Sequence, residues 1–214
     1  MRILITAGPT REPLDPVRFI SNRSTGKMGF ALAQAAQARG HEVTLIAGPV
    51  TLPTPDGVTR VDIETALQML DAVECHLPAH EVYISCAAVA DWRPAVYSPT
   101  KLKKAGMDGT IQLVRNPDIL KTVRPLKDNK LFVGFAAETG VPDAEATRKL
   151  NEKGLDFIVA NDVTAPGAGF ATDTNRVTLL YPNGTREDLP LASKLEIATA
   201  IISRIEQLRS VTDC

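Results

Sequence analysis

The sequence has little of what marks a membrane, secreted or nucleic-acid-binding protein. Its three cysteines (Cys75, Cys86 and Cys214) stand at unrelated spacings, which indicates neither a disulfide framework nor a zinc site. No apolar run approaches the roughly 20 residues that span a bilayer, and Met1 leads directly into an apolar strand without a leader-like segment before it. The net charge of -1 gives no broad attraction to nucleic acid or membranes. We therefore expect a reduced, cytoplasmic protein.

Two common nucleotide-binding signatures are also missing. A P-loop needs a serine or threonine after its lysine and a glycine six positions before that lysine, but here Met28 follows Lys27 and Ser21 takes the glycine position. A dinucleotide fingerprint needs three glycines directly at a strand end, whereas sixteen residues separate Ala7 from Ser24. The second strand also lacks an acidic residue at its end. These absences argue against a nicotinamide-dependent oxidoreductase.

Strands and helices alternate along most of the chain. The rhythm predicts βαβ units in a mostly parallel sheet with helices on both faces, a three-layer Rossmann-like α/β fold. With 214 residues, 44% of them hydrophobic, and no internal repeat or linker, we expect one domain over residues 1–214. Apolar segments of strand length lie at residues 2–7, 42–47, 58–61, 82–85, 131–136 and 157–160, and a helix is predicted over residues 142–153.

The C-terminal segment departs from this alternation. Residues 164–174 are rich in glycine and proline, and Asn183-Gly184 is a strong hairpin signal. We therefore expect residues 164–190 to form a small β-hairpin appendage that serves dimerisation. Ser193 and Glu196 form a capping box. The helix that follows is expected to bury Leu195, Ala198, Ile201, Ile202 and Ile205.

The most informative segment joins the first strand to the first helix. Gly8 follows the strand, and Ser24, Gly26 and Gly29 surround the predicted helix entrance. Free N–H groups and the positive end of the helix dipole make such an entrance a natural anion site. The alternative is that Gly26 and Gly29 only let the helix pack closely on the sheet. Ligands of parallel sheets lie beyond the carboxyl ends of strands, so the loops after residues 7 and 85 are expected to form the site.

Eight short motifs occur in a characteristic order between about residue 3 and about residue 163. They are ITAGPT (5–10), RFISN (18–22), STGKMG (24–29), AAVAD (87–91), KLKK (101–104), NPDI (116–119), GFAAET (134–139) and ANDV (160–163). No single motif is specific. Together they resemble the phosphopantothenoylcysteine synthetase (phosphopantothenate–cysteine ligase) family of coenzyme A biosynthesis, in its bacterial, CTP-dependent form.

The resemblance implies a ligase reaction. The carboxylate of 4'-phosphopantothenate would attack the α-phosphorus of CTP, release pyrophosphate and form an acyl-cytidylate, from which L-cysteine displaces CMP. Mg²⁺ is expected to bind with CTP, held mainly by phosphates and water. Bacterial relatives are often fused to a flavin-dependent decarboxylase domain, and the family is dimeric. We therefore expect a homodimer, either stand-alone or part of a longer protein.

The same resemblance assigns three catalytic residues. Lys101 matches the family's essential lysine and would stabilise charge at the α-phosphorus. Asn22 matches the asparagine that holds the acyl carbonyl of the intermediate, and Arg18 is a weaker candidate for the substrate's phosphate or carboxylate. Without the resemblance, the run of Lys101, Lys103 and Lys104 is equally well explained as a solvated surface.

The resemblance also assigns the nucleotide-binding residues. Backbone N–H groups at Gly8 and along the turn formed by Ser24, Gly26, Lys27, Met28 and Gly29 would hold the triphosphate. Asp91 would accept from a ribose hydroxyl or organise the metal. The remaining nucleotide contacts are expected from Ser85, Cys86, Ala87, Pro117, Asp118, Ile119, Leu120, Phe135, Lys149 and Lys153.

Several of these residues have simpler interpretations. Phe135, at a strand end, is also compatible with the core, and Lys149 and Lys153 also suit the negative end of their helix dipole. Cys86 is interpreted as a small buried residue and not as a nucleophile, because no histidine is placed to activate it. Two other functions stay open, a non-enzymatic nucleotide sensor and an NAD(P)-type oxidoreductase.

Overall fold

The alternation of strands and helices builds one mixed, eight-stranded sheet. The computed structural model describes residues 1–104, 109–138, 143–162, 164, 167, 169 and 171–212. The strands are β1 Arg2–Ala7, β2 Arg11–Pro13, β3 Phe19–Ser21, β4 Glu42–Ala47, β5 Thr59–Asp62, β6 Val82–Ser85, β7 Trp92–Pro94, β8 Leu113–Arg115, β9 Leu131–Glu138, β10 Phe157–Asp162, β11 Thr174–Leu180 and β12 Arg186–Ser193. The helices are α1 Lys27–Ala38, α2 Ala66–His76, α3 Ile119–Val123, α4 Asp143–Lys153 and α5 Lys194–Thr212, with short 3₁₀ turns at Leu77–Ala79 and Arg124–Leu126.

The main sheet has the order β12-β11-β10-β9-β6-β1-β4-β5. The strands from β10 to β5 run parallel, whereas β11 and β12 are antiparallel at the edge. One face carries α1 and α5, whose apolar residues form a cluster with Ile3, Ile5 and Val133. The other face carries α2, α3 and α4, packed on Leu4, Tyr83 and Phe132. This arrangement confirms the predicted three-layer α/β fold.

The C-terminal hairpin is built into the main sheet. Strand β11 pairs with β10, and its residues Val177, Leu179 and Leu180 are buried. Val177 and Leu179 pack in the cluster that includes α5, and Leu180 packs in the cluster on the other face, so this hairpin is buried within the same chain. The sequence analysis predicted an appendage because local patterns do not show that β11 pairs with β10, a strand far from it in the chain. Of the loop expected at residues 164–174, residues 165, 166, 168 and 170 lie outside the described part of the chain.

The predictions for helices α4 and α5 are largely confirmed. Ser193 Oγ accepts from Glu196 N (3.2 Å), and the Glu196 carboxylate accepts from Ser193 N (2.9 Å), which confirms the predicted capping box. Four of the five apolar residues expected inside α5 are fully buried, but Leu195 is 41% exposed. Lys194 and Ile197 of the same turn are buried, so Leu195 lies on the exposed side of the helix. Helix α4 is confirmed over Asp143–Lys153, while residue 142 lies outside the described residues.

Two small antiparallel ribbons were not expected, although the sequence predicts a strand at residues 111–114 that overlaps β8. Strands β2 and β3 pair between β1 and α1, and β7 and β8 pair after β6. Each strand has three residues, which is too short to show a period-two pattern.

Among the described residues, no helix has both the length and the apolar character needed to cross a bilayer.

Candidate active site

The main cleft lies where the strand order reverses. From β1 the chain moves outward to β4 and β5, and then returns to place β6 on the other side of β1. The loops that follow β1 and β6 meet there, since Ala88 N donates to Gly8 O (2.8 Å) and Thr10 N donates to Ala88 O (3.3 Å). This is the crevice in which open α/β sheets bind ligands. The structure thus brings together the two loops singled out from the sequence.

Helix α1 opens into this crevice without a side-chain cap. Its N-cap, Gly26, has φ +78°, a left-handed conformation that favours glycine, and no side chain caps the turn. The first intrahelical bond is from Phe30 N to Gly26 O (3.1 Å), so the N–H groups of Lys27, Met28 and Gly29 precede it. These groups and the helix dipole together favour an anion at this turn.

Gly29 also has a packing role. A Cβ atom at this position would lie 2.4 Å from Ala7 Cβ and 3.1 Å from Ala7 Cα. The first turn of α1 therefore packs directly on the end of β1, as the alternative interpretation of these glycines holds. The two interpretations are compatible, because this close contact is what brings the helix entrance to the sheet edge.

Two adjoining cavities occupy the crevice. The smaller one, of about 280 Å³, contains the α1 entrance, and the larger one, of about 480 Å³, contains the start of α3. Both are lined by Ala87, Val89, Asp91 and Phe135, so one elongated ligand can extend from one into the other. The predicted nucleotide residues divide between them. Ser24, Gly26, Lys27, Met28, Gly29, Cys86 and Lys149 line the smaller cavity, and Ser85, Pro117, Asp118, Ile119, Leu120 and Lys153 line the larger.

The lysines around the cavities have carboxylate neighbours. Lys27 Nζ lies 2.6 Å from Asp173 Oδ1, and Lys153 Nζ lies 3.0 Å from Asp118 Oδ2. Asp118 also caps α3 by accepting from Lys121 N (3.1 Å). Lys149 and Lys153 line the smaller and the larger cavity respectively, so one face of α4 contributes to both. Gly8 lies outside both linings, but its Cα is near Gly26.

The three predicted catalytic residues are not among the residues that line the two cavities. Asn22 Nδ2 donates to Ala88 O (2.8 Å), which attaches it to the loop after β6. Arg18 donates from both Nε and Nη2 to Asp15 Oδ2, and it also donates to Leu102 O (3.0 Å). Lys101 is exposed, and it is not among the residues lining either cavity. The structure leaves the roles of these three residues as predictions.

Cys86 suits its structural interpretation. Burial raises the pKa of its thiol to about 12, so the thiol is protonated at neutral pH. Of the histidines, His41 pairs with Glu206 (2.9 Å), and His80 lies between Thr44 Oγ1 (2.9 Å) and the carbonyl of residue 76 (2.7 Å). Neither contacts Cys86. Within the described part of the chain, no group of three His, Cys, Asp or Glu side chains is placed to hold a metal ion.

Sequence reasoning missed several residues of the site. Lys194 lines the smaller cavity although it is only 7% exposed; its ammonium donates to the carbonyls of Gly169 (3.2 Å), Thr174 (3.0 Å) and Thr172. Desolvation by burial lowers the pKa of Lys194. The capping box marks it as a first-turn residue but does not show that it turns inward. Other missed residues include Asn161 and Asn175 in the smaller cavity and Trp92, Arg115 and Asn116 in the larger.

The fold and the cleft define a Rossmann-like α/β protein with a cleft at the switch point of its sheet. Residues 1–208 match the model of the DNA/pantothenate metabolism flavoprotein C-terminal domain, and the chain belongs to this family. The match confirms the resemblance seen in the motifs.

Two relatives and one more distant structure extend this result. The chain is 50% identical over 209 residues to the coenzyme A biosynthesis bifunctional protein CoaBC of Vibrio vulnificus (strain YJ016), covering 96% of this chain and 52% of that protein. It thus spans about half the length of the curated relatives it matches. It is similar to the crystal structure of the C-terminal domain of CoaBC, with 47% identity, a TM-score of 0.83 and coverage of 98% and 97%. It also shares its fold with a Cab2 mutant in complex with phosphopantothenate-cysteine, at 19% identity and a TM-score of 0.81, covering 100% of this chain and 89% of that one.

Proposed function

We propose that the chain is a CTP-dependent ligase domain that joins 4'-phosphopantothenate to L-cysteine in coenzyme A biosynthesis. The observation that carries the proposal is the pair of adjoining cavities. Their shared wall, which includes Asp91 and Phe135, allows one nucleotide to extend from the start of α3 to the uncapped entrance of α1. Membership of the family, the name of the CoaBC relatives and the ligand of the Cab2 structure support the same substrate class.

The arrangement suits activation of a carboxylate. The N–H groups at the α1 entrance would bind phosphate oxygens of CTP, while Phe135 and the start of α3 would hold the base and ribose. The acyl-cytidylate would then lie near Asn22, whose amide is held 2.8 Å from Ala88 O at the rim of the crevice. Positioning and neutralisation of negative charge supply most of the catalysis in such transfers.

Magnesium remains part of the proposal as a companion of CTP. Asp91 is an exposed carboxylate in the wall shared by the two cavities, and carboxylate oxygen is a ligand that Mg²⁺ prefers. One such carboxylate fits a Mg²⁺ held mainly by phosphates and water. When bound, the ion would neutralise charge on the triphosphate.

The test of the function is the requirement for both substrates. Pyrophosphate release should require CTP and 4'-phosphopantothenate together, and CMP should follow when L-cysteine is added. A nucleotide sensor would bind CTP without releasing pyrophosphate. An oxidoreductase would show a redox cofactor requirement and no dependence on CTP, and either result would reject the ligase proposal.

We also propose that this domain works together with a second enzymatic domain. The relatives are named as bifunctional, and the chain spans 52% of the Vibrio vulnificus protein. This supports an association with a flavin-dependent decarboxylase domain, within one longer protein or between separate chains.

A homodimer is also proposed, through an exposed apolar surface on the two small ribbons. Strand β2 contacts β7, so the ribbons are neighbours. We call this surface the ribbon patch. A second copy of the chain is the proposed occupant, since a patch of this kind on a soluble domain commonly marks an interface. Its exposed apolar residues are Val17, Phe19, Trp92, Val96, Tyr97, Ile111, Leu113 and Val114.

Val96→Asp should convert the dimer into a monomer, because Val96 is 78% exposed in the free chain and a charge there would be desolvated in the interface. The measurement is light scattering at micromolar concentration. The matched control is Leu191→Asp on β12, a residue 44% exposed on the hairpin first expected to serve dimerisation. Loss of the dimer only with Leu191→Asp would place the interface on the hairpin, and a monomeric parent chain with full activity would reject the dimer.

Phe135→Ala should weaken CTP binding more than it weakens the fold. The ring is partly exposed and lines both cavities, so stacking on the base is its expected role. Loss of one stacked ring would raise the KM for CTP by about 5- to 150-fold. Phe132, fully buried on the same strand, is the matched control: Phe132→Ala should cost about 3–5 kcal/mol of stability. A large melting loss for Phe135→Ala with unchanged KM would identify Phe135 as a core residue.

A further inference from the structure

The segment that carries Lys101 is fastened to the turn between β2 and β3. We call residues 98–104 the lysine strap. Ser98 N donates to Leu14 O (3.0 Å), and Leu102 N donates to Asp15 Oδ2 (3.1 Å). In return, Arg18 Nη2 donates to Leu102 O (3.0 Å). Both backbone groups of the residue after Lys101 are therefore held by one pair of side chains.

Asp15 is at the centre of this attachment. Its side chain is fully buried, and its two oxygens accept hydrogen bonds from different groups. Oδ1 accepts from the N–H groups of Val17 and Arg18, both at 2.8 Å, and so shapes the turn. Oδ2 accepts from Arg18 Nε (3.0 Å), Arg18 Nη2 (2.6 Å) and Leu102 N (3.1 Å). A buried carboxylate with this many donors forms a well-defined anchor.

The anchor stands on a rigid frame. Glu12, buried on β2, accepts from Ala66 N (2.9 Å) at the start of α2. Thr10 Oγ1 accepts from Ala90 N (3.0 Å), and Asn22 holds Ala88 O. The β2–β3 ribbon is thus attached to the same loop, residues 87–91, that lines both cavities. The strap, the ribbon and the cavity wall are linked by consecutive hydrogen bonds.

We propose that Asp15 is a positioning residue that fixes the backbone of the lysine strap so that Lys101 reaches the α-phosphorus of CTP. The proposal rests on the ligase function proposed above. Lys101 is an exposed, flexible side chain, so only its backbone attachment determines where its ammonium can reach. Misplacement of a catalytic group by about 1 Å costs on the order of 100-fold in rate. A secure strap is therefore a requirement for the first half-reaction.

Asp15→Asn tests the anchor with little change in size. The side-chain oxygen that shapes the turn can stay, while an NH₂ group replaces Oδ2 and faces the N–H of Leu102 and the guanidinium of Arg18, donor against donor. Hydrogen exchange of the Leu102 amide, followed by NMR, should become about 10-fold faster or more. Single-turnover pyrophosphate release should slow by about 10- to 100-fold. Thermal melting is recorded alongside both measurements.

The matched control is Glu187→Gln. Glu187, on the distant β12 strand, is also a carboxylate paired with an arginine: it accepts from Arg204 Nη2 (2.6 Å) and Nε (2.9 Å). This variant should leave both the Leu102 exchange rate and pyrophosphate release unchanged. If it slows release as much as Asp15→Asn does, the effect is a general loss of stability and the positioning role is wrong.

A double variant separates positioning from an independent role. Because Asp15 acts through Lys101, Asp15→Asn should cause almost no further loss when Lys101 is already glutamine. A further loss of about 10-fold in that background would overturn the proposal, as would faster Leu102 exchange with normal pyrophosphate release. A parent chain that releases no pyrophosphate with both substrates would reject the ligase function, and the positioning role with it. An active parent and an unaffected Asp15→Asn variant would reject only the anchor.

Discussion

Lys101→Gln should slow the first half-reaction by about 100- to 1000-fold, the range observed when one preorganised oxyanion donor is lost. Glutamine keeps the length and polarity of the side chain but removes the positive charge expected at the α-phosphorus. The measurement is single-turnover release of pyrophosphate from labelled CTP in the presence of 4'-phosphopantothenate. Since no acyl-cytidylate forms, neither hydroxylamine nor added cysteine should restore product.

Two comparisons sharpen this prediction. Lys103→Gln changes another exposed lysine of the same strap and should leave the rate nearly unchanged. Asn22→Ala should let acyl-cytidylate form and delay its conversion to the amide, because Asn22 is assigned to the intermediate. If Lys101→Gln forms acyl-cytidylate at the normal rate and stalls only after cysteine is added, the assignment of Lys101 to the first step is wrong. If Lys103→Gln slows pyrophosphate release as much as Lys101→Gln does, the lysines act only through their general positive charge at a solvated surface.

Gly29→Ala should destabilise the protein and weaken CTP binding. Helix propensity alone would predict the opposite effect on stability. Alanine at an ordinary helix position is more stable than glycine by about 1 kcal/mol. Here its Cβ would lie 2.4 Å from Ala7 Cβ, so the first turn of α1 must move away from β1. Overpacking of this kind costs about 1–3 kcal/mol, which lowers the melting temperature by about 2–12 °C. The N–H groups that face the smaller cavity would move with the turn.

The control is an exchange of the two side chains. Ala7→Gly combined with Gly29→Ala removes the Cβ–Cβ collision, so the double variant should recover part of both the melting temperature and the CTP affinity. Melting by calorimetry and CTP titration give the two readouts. A Gly29→Ala variant that melts at or above the parent temperature would contradict the close packing of α1 on β1.

Much of the fold follows from local pattern. The period of apolar residues distinguishes the parallel strands from the helices, and the Ser193–Glu196 box and the Asn183-Gly184 turn act over a few residues. Parallel strands end at the same sheet edge, so the sequence also predicted which loops meet there. Most of the assigned nucleotide residues line the two cavities for this reason, since a motif that follows a strand is carried to the edge with it.

The misplaced features depend on partners far away in the sequence. The hairpin is part of the main sheet because β11 pairs with β10. Leu195 is exposed although Lys194 and Ile197 of the same turn are buried, so Leu195 lies on the exposed side of α5. Lys194 turns inward because the carbonyls of residues 169, 172 and 174 surround its ammonium. Three-residue strands show no period-two pattern, so apart from the strand at residues 111–114 the two ribbons were not predicted.

The sequence by itself determined the layered α/β fold, the sheet edge at which the cleft lies and, through its motifs, the family. Each of these depends on residue order, periodicity or short spacing. Only the tertiary structure decided how the catalytic candidates are held. Arg18 and Asp15 form hydrogen bonds with the backbone of Leu102, next to Lys101 and more than eighty positions away in the sequence. Asn22 forms a hydrogen bond with the loop after β6. Such contacts are fixed by the packing of ribbons and loops on the sheet, which no local pattern encodes.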